Sequence, residues 1–184
     1  NIAAEFDVTH ATAAIVIAAF TLAYGLFQII YGPIGDRYGR IKTVSVATGI
    51  VAVGSLGSAH AQDLEWLTAL RFLTGIGAAG IIPVSLAWIG DQTTYENRQA
   101  SLGNFISFIL LGQILGPSLG GALAEFSSWR TIFYFFSISF FIMTLILFLV
   151  AHKYQSTHSV KKTSTLPNHP FRNYSNILKD PWCQ

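Results

Sequence analysis

Charge is what this sequence has least of. Only 11% of its 184 residues are Asp, Glu, Lys or Arg, and long stretches contain none of them. Soluble globular domains average about 25% charged residues, so a water-facing surface of the ordinary kind is excluded. Cysteine is nearly absent as well. The lone Cys183 has no partner for an internal disulfide, so the fold does not depend on one. No Walker sequence, no nucleophile elbow at a strand-to-helix turn and no His-Glu-x-x-His pattern occurs, which argues against an ATPase or a recognisable hydrolase. His10 and His60 stand apart without metal-ligand spacing, and nothing calls for a cofactor. The slight basic balance does not point to nucleic acid, because the cations are not gathered on any soluble stretch.

What the sequence has instead is hydrophobic residues in runs. They make up 52% of the chain, with 14 phenylalanines among them. The runs approach the ~20 residues that a helix needs to cross a bilayer, and inside a bilayer an open chain can satisfy its backbone groups only as an α-helix. Five spans are predicted: Thr12 to Tyr31, Thr43 to Ala59, Leu64 to Ile89, Ala100 to Ala124 and Thr131 to Val150. The second is the weakest, being rich in Gly and Ser. The expectation is an all-α membrane protein, a helical bundle of five transmembrane helices occupying residues 1–151. The polar tail 152–184, with Pro167 and Pro170, reads as a linker carrying a short helix at Tyr174 to Leu178.

Lys and Arg placement orients the bundle. Arg37, Arg40, Lys42, Arg98, Lys153, Lys161, Lys162, Arg172 and Lys179 fall on one side, and only Arg130 on the other, where Glu5, Asp7, Asp63, Glu65 and Glu125 gather. The first side is therefore cytoplasmic and the first residue lies outside. Asn173-Tyr174-Ser175 matches a glycosylation sequon, but a cytoplasmic position makes it a chance match.

Four constellations stand out. The link Gly32-Pro33-Ile34-Gly35-Asp36-Arg37-Tyr38-Gly39-Arg40-Ile41-Lys42 is a charged, glycine-punctuated turn between two apolar runs. Gly32 and Gly35 would let two helix ends approach closely, Gly39 would tolerate a turn that a β-carbon resists, and Asp36 would pair locally with its cations. Asp91, at the cytoplasmic end of the third span, is an expected partner for Arg40. Secondly, Arg71 lies inside a span, which costs about 2.5–3.5 kcal/mol on insertion scales. It either snorkels to the outer interface or enters the bundle interior, where Gly75 one turn away makes room for a neighbouring helix.

Thirdly, Gly103, Gly112, Gly116, Pro117, Gly120 and Gly121 follow a Gly-x8-Gly-x3-Gly-Pro-x2-Gly-Gly spacing. Gly112, Gly116 and Gly120 share one helix face, suited to close contact with another helix, and Pro117 invites a kink. Lastly, Thr21, Tyr24, Gln28 and Tyr31 form a polar stripe on the first span, with Asn104, Ser107 and Gln113 on the fourth. These face either a hydrated cavity holding a small organic molecule or merely neighbouring helices. No span carries a carboxylate deep in its core.

The Gly-x-x-x-Asp-Arg-x-Gly-Arg spacing from Gly32 to Arg40 resembles the signature loop between the second and third spans of major facilitator superfamily transporters. Arg71 with Gly75 and Gly77 resembles that superfamily's fourth-span motif, and Gly103 to Gly121 the fifth-span motif of its drug/proton antiporters. Trp129-Arg130 resembles the start of the sixth span, although interfacial anchoring explains it equally well. The resemblance implies a fragment covering spans two to six and the central loop, lacking the first helix and the C-terminal half. It implies a non-enzymatic carrier in a bacterial cell membrane, exporting a small organic or drug-like molecule against protons by alternating access, in contact with membrane lipid. Gly32, Gly35, Asp36, Arg37, Gly39, Arg40, Lys42 and Asp91 would form a cytoplasmic latch, and Arg71 with Gly75 would serve proton coupling. The alternatives are an uptake symporter for a sugar or organic acid and a transport-inactive receptor on the same fold.

Overall fold

The structure is a computed structural model and describes residues 5–126 and 128–158. The helix expected at Tyr174 to Leu178, the sequon and Cys183 lie outside the described residues. Among the described residues there is no strand. A single helical turn, His10–Ala13, leads into five long helices: α1 (Ile15–Tyr38), α2 (Arg40–Ala59), α3 (Leu64–Gln92), α4 (Tyr95–Phe126) and α5 (Trp129–His158). All five are long and apolar enough to cross a membrane.

The helices run past most of the predicted ends, and the largest difference is at the charged link. Gly32 to Tyr38 is not a loop but the last turns of α1, with Pro33 inside the helix. At a membrane edge unpaired backbone groups are costly, so the helix persists through residues that end helices in water. The reversal falls on Gly39 alone, at φ 95°, where a β-carbon would be strained. Its N–H donates to the Gly35 carbonyl at 3.0 Å, closing α1. Its own carbonyl accepts from the Thr43 hydroxyl at 3.0 Å, opening α2. At the other end of the helices Asp63 caps α3, its carboxylate accepting the Trp66 N–H at 2.6 Å.

The axis of the packing is α3, which lies along both α1 and α2. Three glycines allow this. A β-carbon on Gly75 would collide with the Phe20 carbonyl and stand 2.9 Å from the Ala23 Cβ of α1. On Gly77 it would stand 2.8 Å from the Ala47 carbonyl of α2, and Gly80 receives the ring of Tyr31. Without a hydrophobic drive between helices in lipid, such close backbone approach supplies the packing attraction.

The Gly- and Ser-rich second span, weakest by hydropathy, becomes the most enclosed helix. In the apolar window of α2, 56% of residues are buried, against 33% in α3 and none in α4. Its small residues explain this, because they let α3 and α5 close over it. Hydroxyls knit α5 to α2. Ser137 donates to the Ala52 carbonyl at 3.0 Å, Thr144 to the Thr48 hydroxyl at 3.0 Å, and Ser45 to the Thr144 carbonyl at 3.3 Å. Each such bond averages about 0.6 kcal/mol in a membrane bundle. By contrast α4 touches α3 near the α3–α4 turn, where Arg98 donates to the Gly90 carbonyl at 2.8 Å.

Candidate functional site

At the hairpin end, Arg40 joins three helices. From the first turn of α2 its guanidinium reaches Asp36 of α1 at 3.0 Å and Asp91 of α3 at 2.9 Å. Arg40 is mostly covered, while both carboxylates are more than half exposed. Exposed pairs of this kind contribute roughly 0–1 kcal/mol each, enough to bias a conformation and too little to lock it. Gly35 lets α3 come close, since a β-carbon there would stand 3.2 Å from Val84. Gly32 does not share this role: a β-carbon there would meet nothing within 4 Å among the described residues. Arg37 lies over the Tyr38 ring, 5.5 Å from its centre. Lys42 makes no ion pair among the described residues.

Arg71 leaves α3 between two aromatic rings, its guanidinium carbon 4.5 Å from the centre of Phe133 on α5 and 5.7 Å from that of Phe20 on α1. Its Nε is buried without a hydrogen-bond partner among the described residues. Cation–π contacts supply about 0.5–2 kcal/mol, less than the insertion cost of an arginine at mid-span, so a cation held this way stays attractive to an anion. Gly75, one turn on, is where α1 crosses, and this crossing carries Phe20 to the guanidinium.

The polar stripe of α1 does not act as one surface. Tyr31 is buried against Gly80, Tyr24 is half-buried and stacks on Phe20 with centroids 6.1 Å apart, and Gln28 is exposed. Thr21 donates to the Ile17 carbonyl of its own helix at 3.0 Å. Asn104, Ser107 and Gln113 on α4 are exposed, and Ser107 donates to the Gly103 carbonyl at 2.9 Å. The glycine face is also open. Gly103, Gly112, Gly116, Gly120 and Gly121 have nothing within 4 Å, and α4 continues through Pro117. The expected tight contact at Gly112 to Gly121 is therefore not made within the described residues, since no helix among them lies against that face.

At the opposite end the structure assembles a cluster that sequence reasoning missed. The Glu5 carboxylate accepts from the Trp129 indole and from Arg130 at 2.7 Å. Arg130 also donates to the Ala59 and Ala61 carbonyls at 3.3 and 3.1 Å, satisfying groups left open where α2 ends. The Tyr134 hydroxyl lies 3.2 Å from His60 Nε2. Trp129 is buried between Phe6 and Phe133, so it is a core residue rather than an interfacial anchor. The Trp-Arg pair was the available signal, but its partner Glu5 is more than 120 residues away in sequence.

A family model described as Major Facilitator Superfamily matches residues 1–183. The chain belongs to the major facilitator superfamily. Its five apolar helices are accordingly spans of an integral, multi-pass membrane protein. The chain is 32% identical over 134 residues to a multidrug transporter of Candida glabrata, covering 73% of this chain and 23% of that protein. It is 32% identical over 122 residues to a multi-drug resistance efflux pump of Streptococcus pneumoniae, covering 66% and 30%. With an efflux pump of Penicillium aethiopicum it shares 32% identity over 118 residues, covering 64% and 24%. The chain thus spans less than a third of the length of the curated relatives it matches.

Proposed function

We propose that residues 1–151 are spans two to six of a proton-coupled exporter of small organic molecules, and residues 152–184 its central cytoplasmic loop. The carrying observation is the bridge from Arg40 to Asp36 and Asp91, which ties the cytoplasmic ends of three spans across the Gly39 reversal. A latch for alternating access must close one side and yet reopen in every cycle. Two surface ion pairs, together worth on the order of 1 kcal/mol, bias such an equilibrium several-fold without freezing it.

Export is favoured over uptake by the Gly103 to Gly121 spacing and by the efflux pumps among the relatives. Arg71 supports coupling: a covered cation with no counter-charge among the described residues favours the ionised form of any acid brought near it and releases that preference when a proton or an anionic group arrives. In this reading the exposed Thr21, Gln28, Asn104, Ser107 and Gln113 and the half-buried Tyr24 would contribute polar groups to a substrate cavity, whereas Tyr31 packs on Gly80. The protein is a carrier without a catalytic group, seated in a bacterial cell membrane.

The test is transport by the protein as the cell makes it. Cells carrying it should extrude a fluorescent cationic dye, extrusion should stop when a protonophore collapses the gradient, and R71Q should abolish the gradient dependence. Gradient-driven accumulation inside the cell would replace the exporter with a symporter. Absence of any gradient-dependent movement of substrates would remove the transport reading.

A further inference from the structure

A groove of about 560 Å³ runs between α1 and α2 with α3 as its floor. Its length is lined by Phe27, Ile34, Val46 and Ile76, and its hairpin end by Tyr38 and Lys42. Phe27 and Tyr38 stand eleven residues apart on one helix, a rise of ~16 Å. That is about the depth of one leaflet, half of the ~30 Å hydrocarbon core. The walls are largely apolar, with Tyr31 and Thr43 also among the lining residues, and the charged group, Lys42, stands at the hairpin end.

The three cations of the hairpin are not equivalent. Arg40 is occupied by two carboxylates, whereas Lys42 and Arg37 have no carboxylate partner among the described residues. Lys42 stands at the mouth of the groove, and Arg37 lies over the ring of Tyr38, which forms the same rim. A one-leaflet apolar slot ending at unpaired cations and an aromatic rim matches one molecule class: a phospholipid with an anionic headgroup. We propose that this groove is a binding site for an anionic phospholipid of the cytoplasmic leaflet, its phosphate on Lys42 and one acyl chain lying along Ile34 and Val46. Juxtamembrane cations attract anionic headgroups across this interface, and tyrosine favours the headgroup level. The site does not depend on the transport direction proposed above.

Native mass spectrometry of the solubilised protein, titrated separately with phosphatidylglycerol and phosphatidylcholine, tests the proposal. Phosphatidylglycerol adducts should appear at several-fold lower lipid concentration than phosphatidylcholine adducts. K42Q should erase that preference, K42R should keep it, and Val46→Trp, which fills the slot, should reduce occupancy by both lipids. Equal binding of the two lipids, or an unchanged preference in K42Q, would overturn it. The occupant is tested by Ile30→Cys, at a position lining the groove on α1, in a background where Cys183 and any other cysteine of the protein are Ser, using a lipid-soluble maleimide. Rapid labelling in lipid-free micelles, slowed by phosphatidylglycerol, is expected. Protection without lipid would mean that polypeptide, either another span or a second copy, covers the groove, and the lipid proposal would fail.

Discussion

Two glycine-rich helices of this chain meet different fates. In α3 the glycines at 75, 77 and 80 are pressed against α1 and α2, with no room for even a methyl group. In α4 the glycines at 112, 116 and 120, more regularly spaced, touch nothing among the described residues. Regular spacing on a helix face is therefore no measure of how closely that face is packed. Contact depends on what lies opposite: Phe20, Ala47 and Tyr31 face α3, while no described helix lies against the α4 face.

Substitutions on the two helices turn this comparison into numbers. Gly75→Val should have the largest effect, since its side chain meets a backbone carbonyl that cannot rotate away. Overpacking of this kind costs typically 1–3 kcal/mol, and the upper end is expected here, seen as a lowered melting temperature of the purified protein. Gly39→Ala should follow, at about 1–3 kcal/mol, because its cost lies in backbone conformation rather than crowding. A melting temperature unchanged from wild type would show that the hairpin relaxes, and would separate conformational from packing glycines. Arg40→Gln should cost about 1 kcal/mol or less in stability, yet shift accessibility of the hairpin end of the helices to a soluble thiol reagent several-fold. Least should come from Gly116→Val in the packing described here, within about 0.5 kcal/mol, as for substitutions away from contacts. A large loss of melting temperature in that variant would reveal a partner for the α4 face and end the contrast with α3.

The charged link shows where sequence reading stops. Its residues announced a helix boundary, a set of cations and a carboxylate partner, and Arg40 does lie between Asp36 and Asp91. The same residues read as a turn in sequence, yet Gly32 to Tyr38 are helical, because at a membrane edge the helix continues through residues that end helices in water. Gly32 and Gly35 look equivalent in sequence, yet only Gly35 faces α3. The Glu5, Trp129 and Arg130 cluster is illegible for another reason: Glu5 lies more than 120 residues from the Trp-Arg pair, and no local periodicity links them. Arg71 sat between. Its cost in a span was readable from composition, but its place between Phe20 and Phe133 depends on how α1 and α5 cross α3.

By itself the sequence determined that this chain forms apolar helices, roughly where they lie and which ends carry charge, because those properties follow from the length and hydropathy of local runs. Only the tertiary structure decided which glycines are crowded, which cations are paired and which polar side chains are covered. Local hydropathy says that a helix sits in a membrane, but in lipid every apolar face is equally content. Which faces meet is settled by close fit and by a few polar contacts between residues distant in the chain.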